Sequence, residues 1–152
     1  MKKSMLPIES LNKQLKELIG LKFTATSRAA DMECLKFGDL IEDGYHEYAL
    51  HLQCYWRFTA GGKVVVGSSD LYGADPKLRD GKLQELIARK PKIVSAVADD
   101  FGGFEINFES GLQFSIFANQ SEPYDDMDEY WRLLQNKTKK QLVMSASGME
   151  EI

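Results

Sequence analysis

The chain has 152 residues, of which 43% are hydrophobic, 28% charged and 11% aromatic. This composition is typical of one soluble domain, residues 1–152, with a single apolar core, and it excludes a disordered, collagen-like or coiled-coil chain. The formal net charge is −4. Because proteins that neutralise nucleic-acid phosphates usually present a basic face, we expect no nucleic-acid binding.

The cysteines and the amino-terminal segment indicate a cytoplasmic protein. Cys34 and Cys54 have no CxxC spacing and no nearby pair of histidines, so they suit a reducing compartment in which thiols act as small apolar groups. The lysines near the start are not followed by an apolar run of signal-peptide length, and no stretch reads as a transmembrane helix. We therefore expect no membrane contact and no cofactor.

The first part of the chain predicts a helix followed by strands. Apolar residues recur at helical spacing over residues 8–19, and Gly20 then ends the helix. From Leu21 the apolar residues alternate with polar ones, which is typical of a strand. A second strand is predicted at residues 32–37, with a turn at residues 42–44.

Residues 45–60 predict one long strand with one buried face. The even positions from Tyr48 to Phe58 are apolar, whereas the odd positions are polar or amphipathic. Residues 61 and 62 are both glycine and predict a hairpin turn, because glycine tolerates the positive φ angles that tight turns need. Ala60 then lies opposite Lys63, and the partner strand is predicted to continue to Tyr72.

This register separates apolar from polar partners, and a slip of one residue would mix the two faces. On the apolar face, Trp56 lies opposite Gly67 and Phe58 opposite Val65, which are sensible volume matches. The polar face pairs His51 with Tyr72, Gln53 with Asp70, Tyr55 with Ser68, and Arg57 with Val66.

The second half of the chain predicts one more helix and further strands. The helix covers about residues 82–89 and is followed by a strand at residues 93–98. Residues 104–108 and 112–116 predict a hairpin with a three-residue loop in which Gly111 takes the left-handed conformation. An acidic loop at residues 122–128 leads to a strand at 130–134, a turn near Asn136 that carries three lysines, and a last strand around 142–144. Together the elements predict an α+β fold that is predominantly antiparallel, either one curved sheet or two sheet layers, with one or two covering helices.

The main candidate site is the polar face of the central hairpin. It offers hydrogen-bond donors and acceptors, an imidazole that titrates near neutral pH and a planar cation, which suit a small anionic or polar ligand. The same residues also fit a structural network of ion pairs and outer-face tyrosines, which is the commoner arrangement. The candidate ligand-binding residues are His51, Gln53, Tyr55, Arg57, Ser68, Asp70, Tyr72 and Arg132.

Two similar dipeptides, Trp56-Arg57 and Trp131-Arg132, lie in predicted strands. Neighbouring strand residues point to opposite faces, so we expect each indole to enter the core and each guanidinium to point the other way. If the two arginines converge on one face, they favour an anion site.

No residue is assigned a catalytic or metal-binding role. Ser68 and Ser69 lie in a segment that lacks the second glycine of a GxSxG nucleophile turn. His46 has the opposite strand parity from His51, so the two are not expected to share a metal. The acidic stretch at residues 125–129 lacks the spacing of a calcium-binding loop and suits either a solvated loop or a docking surface for a basic partner.

Three stretches resemble a family of small bacterial proteins of uncharacterised function: HLQCYWR at residues 51–57, VGSSDLY at 66–72 and YWRLL at 130–134. The closing LVMSASGME at residues 142–150 is similar to that family's ending. The resemblance implies that the segment with His51 and the segment with Asp70 belong together. It implies no activity, cofactor or catalytic residue.

We therefore expect a cytoplasmic module, for example of the immunity type, that binds a protein or a small polar ligand and exists as a monomer or homodimer. The alternative is a small hydrolase or isomerase that uses His51 with Asp70. A third hypothesis, a lipocalin-like carrier, requires an apolar cavity inside a curved sheet.

Overall fold

The structure is a computed structural model that describes residues 8–75, 77–122 and 128–152. Its strands form two antiparallel sheets, and neither sheet closes on itself, so the predicted α+β class is confirmed. The six-stranded first sheet has the order β1-β2-β3-β9-β10-β11, with β1 (Phe23–Ala29), β2 (Met32–Glu42), β3 (Tyr45–Leu52), β9 (Trp131–Gln135), β10 (Lys140–Ser145) and β11 (Gly148–Glu151). The five-stranded second sheet has the order β5-β4-β8-β7-β6, with β4 (Tyr55–Ala60), β5 (Lys63–Gly67), β6 (Ile93–Ala98), β7 (Phe104–Phe108) and β8 (Gln113–Phe117).

Two α-helices pack against these sheets. Helix α1 (Ile8–Leu15) continues into a 3-10 turn that ends at Leu18 and contacts β6, and Gly20 follows with φ +92°. The predicted helix and its end are confirmed. Helix α2 (Leu78–Ala88) contacts β1 and β5 and begins earlier than the predicted 82–89. No helix in the described part of the chain is long and apolar enough to cross a membrane.

Aromatic side chains from both sheets meet in one core. Phe23 of β1 stacks on Phe58 of β4 with ring centroids 5.5 Å apart, and Phe104 of β7 meets Trp131 of β9 edge-on at 5.0 Å. Trp56 is buried in the same core, so the predicted inward orientation of both indoles is confirmed. Because side chains fill the space between the sheets, the cavity that a lipocalin-like carrier needs is not formed there.

The predicted single strand at residues 45–60 is wrong, because the chain changes sheets in its middle. Strand β3 ends at Leu52 in the first sheet, and β4 starts at Tyr55 in the second. Most of the apolar side chains on this face before and after the break, such as Leu50 and Trp56, are buried in the core between the sheets, and Tyr48 packs against that core partly buried. Alternation therefore continues through the break, and periodicity alone gives no sign of it.

The hairpin turn at residues 61–62 is confirmed, but its predicted register holds only beside the turn. A β-bulge shifts the partner strand by one residue, so that Phe58 faces Val66 instead of Val65. Residues 68–72 form a 3-10 turn instead of continuing the strand. The Asp70 carboxylate accepts a hydrogen bond from the Gly67 backbone N–H at 2.9 Å, and such local bonds compete with strand pairing. The predicted pairs His51–Tyr72, Gln53–Asp70, Tyr55–Ser68, Arg57–Val66 and Trp56–Gly67 are therefore not formed.

The second predicted hairpin is confirmed together with its loop. Phe104 pairs with Ile116, Ile106 pairs with Phe114, and Gly111 in the loop has φ +78°. Strands β9 and β10 follow as predicted, joined by a turn at residues 136–139. Strand β11 was not predicted. Most of the predicted acidic loop, residues 123–127, lies outside the described residues.

Candidate functional site

The structure divides the eight predicted site residues among four places. The division follows from the sheet change at residues 53–54 and from the 3-10 turn at residues 68–72. One cleft is lined by four of them, Gln53, Tyr55, Ser68 and Tyr72. The first sheet carries His51 and Arg132 side by side, and the second sheet carries Arg57. The remaining residue, Asp70, caps the 3-10 turn.

The cleft lies where the chain passes from β3 to β4, and its volume is about 270 Å³. One wall comes from the β1–β2 turn with Asp31, and another from the 3-10 turn at residues 68–72. Arg79 of α2 and Asn119, which follows β8, complete the lining. Five separate parts of the chain thus converge on a space that suits a small ligand or a single side chain.

Arg79 lines this cleft although its residue exposure is only 1%. Its Nη1 donates a hydrogen bond to the Ser68 carbonyl at 2.9 Å, and its Nη2 donates one to the Asp31 carbonyl at 3.1 Å. The guanidinium carbon lies 5.5 Å from the centre of the Trp56 ring, within the range of a cation–π contact. Its Nε lies 3.3 Å from Oε1 of Glu33, which completes an ion pair. Arg79 therefore joins two walls of the cleft to the core.

Glu33 of β2 is as deeply buried as Arg79. Burial raises the pKa of the Glu33 carboxyl, whereas the hydrogen bond from Thr26 and the charge of Arg79 lower it. The Thr26 hydroxyl donates that hydrogen bond to Oε2 at 2.6 Å. A buried charge without its partner is costly, so the two charges depend on one another.

Two tyrosines stand at the opening of the cleft, with Tyr72 72% exposed and Tyr55 59% exposed. The Tyr72 hydroxyl donates a hydrogen bond to Oδ2 of Asp31 at 3.0 Å. This bond and the Asp31 charge are the main causes that raise the pKa of Tyr72, and nearby Tyr55 makes a smaller contribution in the same direction. Both tyrosines therefore border the opening, and Tyr72 is bonded to a carboxylate there.

Several polar groups of the cleft remain available to a ligand. Ser68 Oγ accepts a hydrogen bond from the Trp56 backbone N–H at 3.2 Å, so its own proton is free to be donated elsewhere. The Gln53 side-chain amide and the Ser69 hydroxyl make no hydrogen bond with any described residue. These groups supply both donors and acceptors.

His51 does not lie in this cleft. It lines a groove of about 580 Å³ on the first sheet, where its strand neighbours are Cys34 and Arg132. Burial lowers the pKa of His51; the nearby charges that also act on it are Glu129, Arg132 and Lys36. No contact joins His51 to Asp70, whose carboxylate caps the 3-10 turn. The predicted His51–Asp70 acid–base pair is therefore not assembled, because His51 lies in β3 of the first sheet and Asp70 lies in the 3-10 turn that follows β5 of the second.

The two arginines whose convergence would favour an anion site lie on different sheets. Arg57 of β4 covers the Phe117 ring with its guanidinium carbon 5.1 Å from the ring centre. Arg132 of β9 forms an ion pair with Glu129 at 2.9 Å and donates to Gln141 at 2.6 Å. The anion site that required both guanidinium groups is therefore not formed.

Neither cysteine offers a reactive thiol. Cys34 and Cys54 are free and buried, and burial raises the pKa of Cys54 to about 12. Residues 8–75, 77–122 and 128–152 contain no group of three or more histidine, cysteine, aspartate or glutamate residues that could hold a metal ion.

The sequence also carries a signal for the buried ion pair, which the predictions above do not include. Arg79, Leu83 and Leu86 recur at the spacing of one helix face, and all three are buried. Glu33 shares strand parity with Leu35 and is buried with it. A charged residue on an apolar face needs a partner, so two such residues of opposite charge predict a buried pair.

Comparison of the chain with protein-family models, with curated proteins and with solved structures finds no match. The geometry of the cleft is therefore the basis for inferring function.

Proposed function

We propose that the protein is a non-catalytic cytoplasmic module that binds a partner through the cleft between the β1–β2 turn, the start of β4 and the 3-10 turn at residues 68–72. One observation carries the proposal: polar side chains from these separate segments converge on a cleft next to a buried ion pair. A concave site with a few oriented polar groups is the usual form of a binding site.

The ion pair supports this proposal because it fixes the walls of the cleft before any partner arrives. Arg79 binds the Ser68 carbonyl on one wall and the Asp31 carbonyl on the other. A site that is already ordered loses less conformational entropy on binding. The exposed tyrosines, Tyr55 and Tyr72, add large and fairly rigid contact surfaces at the opening.

The cleft favours binding over the alternative enzyme. Acid–base catalysis needs a base within hydrogen-bond reach of the proton that it removes. No histidine lines the cleft, and the Cys54 thiol has its pKa raised to about 12 by burial. The one hydrogen bond of Ser68 Oγ among the described residues comes from the Trp56 backbone N–H, so no side chain that could act as a base is bonded to its hydroxyl.

Affinity capture with the full-length protein tests the proposal. The immobilised wild type, Tyr72→Ala and Tyr45→Ala are exposed to a lysate of the producing cells, and retained proteins and small molecules are identified by mass spectrometry. Tyr45 is a matched control, because it is also an exposed tyrosine, 55% accessible, but lines the groove on the first sheet. Equal urea-unfolding midpoints first establish that all three baits are folded.

We expect a species that the wild type and Tyr45→Ala retain and that Tyr72→Ala loses. Retention of the same species by all three baits, or by none, contradicts the proposal that the cleft is the recognition site.

A further inference from the structure

We infer that the cleft accepts a cationic side chain, a lysine ammonium or an arginine guanidinium, from a basic partner protein. This inference rests on the proposed function and specifies the chemistry of the group that enters the cleft. It differs from the anionic ligand that the sequence analysis offered as one possibility, and the charges around the cleft are the reason.

The charged groups of the cleft leave one negative charge in excess. The Arg79 guanidinium and the Glu33 carboxylate balance each other as a buried pair. The Asp31 carboxylate remains, and it lies at the exposed edge of the cleft. The Tyr72 hydroxyl donates to it, but a neutral donor does not cancel its charge. No described lysine or arginine forms an ion pair with Asp31.

Arg79 is already engaged and is not a ready receptor for an anion. Its Nη1 and Nη2 donate hydrogen bonds to the Ser68 and Asp31 carbonyls, whereas its Nε faces Glu33 Oε1 in an ion pair at 3.3 Å without a hydrogen bond. The Trp56 ring covers the guanidinium at 5.5 Å. An anionic ligand would have to compete with these contacts while it approached the carboxylates of Glu33 and Asp31, so the site disfavours it.

The aromatic rings at the opening favour a cation directly. The face of a tyrosine ring carries partial negative charge and attracts ammonium and guanidinium groups. Tyr72 and Tyr55 are both more than half exposed, and Tyr72 is hydrogen-bonded to Asp31. A cation placed over the Tyr72 ring therefore also approaches a carboxylate. The Gln53 amide oxygen and the Ser69 hydroxyl are unpaired acceptors for its N–H groups among the described residues.

Charge outside the cleft favours a basic protein as the source of this cation. The chain has a formal net charge of −4. Asp75, exposed, follows the 3-10 turn, and Glu122, exposed, follows Asn119 of the cleft lining. A net negative charge attracts a basic surface and accelerates its association, in addition to what one side chain contributes by direct contact.

Titration of the full-length protein, followed by two-dimensional amide NMR, tests the inference. The cationic probes are the Nα-acetyl N-methylamides of lysine and arginine; the neutral and anionic controls are the same derivatives of norleucine and glutamate. We expect the cationic probes to shift the amide signals of Asp31, Ser69 and Tyr72 and to bind more weakly as salt is raised. The controls are expected to leave these signals unchanged.

A matched pair of variants separates local from overall charge. Asp31→Asn is expected to weaken binding of the lysine probe by roughly two- to fivefold, the range for an exposed charge pair. Asp100→Asn removes the same charge from an exposed turn outside the cleft and is expected to leave the affinity unchanged. Equal weakening in both variants, or no shift of cleft signals by either cation, overturns the inference.

The source of the cation is tested in the same titration. A tri-lysine peptide is expected to bind more tightly than the capped lysine, because the surrounding acidic groups add attraction. If n-butylamine binds as tightly as the peptide, the assignment of a protein partner is wrong. If the norleucine and lysine derivatives bind equally well, the cleft does not recognise cations and the inference is wrong. The proposed binding function would still stand in that case if the capture experiment finds a partner whose retention depends on Tyr72.

Discussion

Replacing Arg79 with leucine is expected to lower the free energy of unfolding by about 3–5 kcal/mol at pH 8, the cost of leaving one member of a buried ion pair without its partner. Arg79 and Glu33 are each only 1% exposed, so solvent cannot take over the role of the missing guanidinium. Only the hydrogen bond from Thr26 would remain on the Glu33 carboxylate. The loss is a large part of the 5–15 kcal/mol that typically stabilises a domain.

The structure indicates that the unpaired carboxylate, and not the lost hydrogen bonds, accounts for most of this cost. The carbonyls of Ser68 and Asp31 belong to half-buried and exposed residues, where water can replace the arginine donors. Removing both charges in Glu33→Leu/Arg79→Leu should therefore restore most of the stability that either single change removes. The coupling between the two sites is the quantity that a double-mutant cycle measures.

The pH dependence has a defined sign. Burial raises the folded-state pKa of Glu33 above its ordinary 4.5. A carboxyl whose pKa is higher in the folded state than in the unfolded state stabilises the folded protein at pH values below its unfolded pKa. This stabilisation is lost as the pH rises through the folded-state pKa. Without Arg79 the pKa rises further, so Arg79→Leu should regain part of its lost stability when the pH is lowered from 8 to 5.

Urea unfolding followed by tryptophan fluorescence measures these differences, because Trp56 and Trp131 are both buried. Wild type, the two single variants and the double variant are compared at pH 8 and pH 5. The coupling of the pair would be refuted if Arg79→Leu lowered the free energy of unfolding by less than about 1 kcal/mol. It would also be refuted if the loss in the double variant equalled the sum of the losses in the two single variants.

Three further predictions use the same unfolding assay or a thiol titration. Burial lowers the pKa of His51 in the folded state below its ordinary 6.5. The stabilisation linked to the neutral imidazole is therefore complete at pH values above 6.5 and is lost as the pH falls through the folded-state pKa. His51→Gln should therefore lose less stability than the wild type between pH 7.5 and 5.5, and an equal loss contradicts this assignment. Gly103→Ala should destabilise the fold by about 1–3 kcal/mol, because the added Cβ would collide with a backbone carbonyl of β8. Gly81→Ala, in open space within α2, should stabilise the fold by about 0.5–1 kcal/mol. A Gly103→Ala variant more stable than Gly81→Ala would contradict the packing. Cys34 and Cys54 should react with a disulfide reagent only at the rate of unfolding, and fast labelling of the folded protein would show that they are accessible.

The elements that the sequence predicts correctly are those that local patterns determine. Helix α1 has an apolar stripe and a glycine at its end, and both survive in the fold. The hairpin of β7 and β8 combines strict alternation with a loop in which Gly111 supplies a positive φ. Each of these features depends on residues that are close together along the chain.

The site was only partly predictable because it depends on departures from regular alternation. A bulge shifts the pairing of β4 with β5, and Asp70 favours a 3-10 turn where the pattern suggests more strand. Parity correctly places Gln53 and Tyr55 away from the core but cannot show that the chain changes sheets between them. His51 was therefore grouped with residues that lie in another part of the fold.

These departures from regular structure are also what creates the cleft. Asp31 lies in the β1–β2 turn, and Ser68 begins the 3-10 turn, so their carbonyls are not committed to pairing within a sheet. Arg79 supplies donors to both carbonyls and is itself balanced by Glu33. The hydrogen bonds that Arg79 donates to these backbone carbonyls, which no strand partner satisfies, are thus the same contacts that hold the cleft walls together. A sequence that continued β3 directly into β4 would need no such arginine, and it would leave Gln53 on a sheet face without an opposing wall.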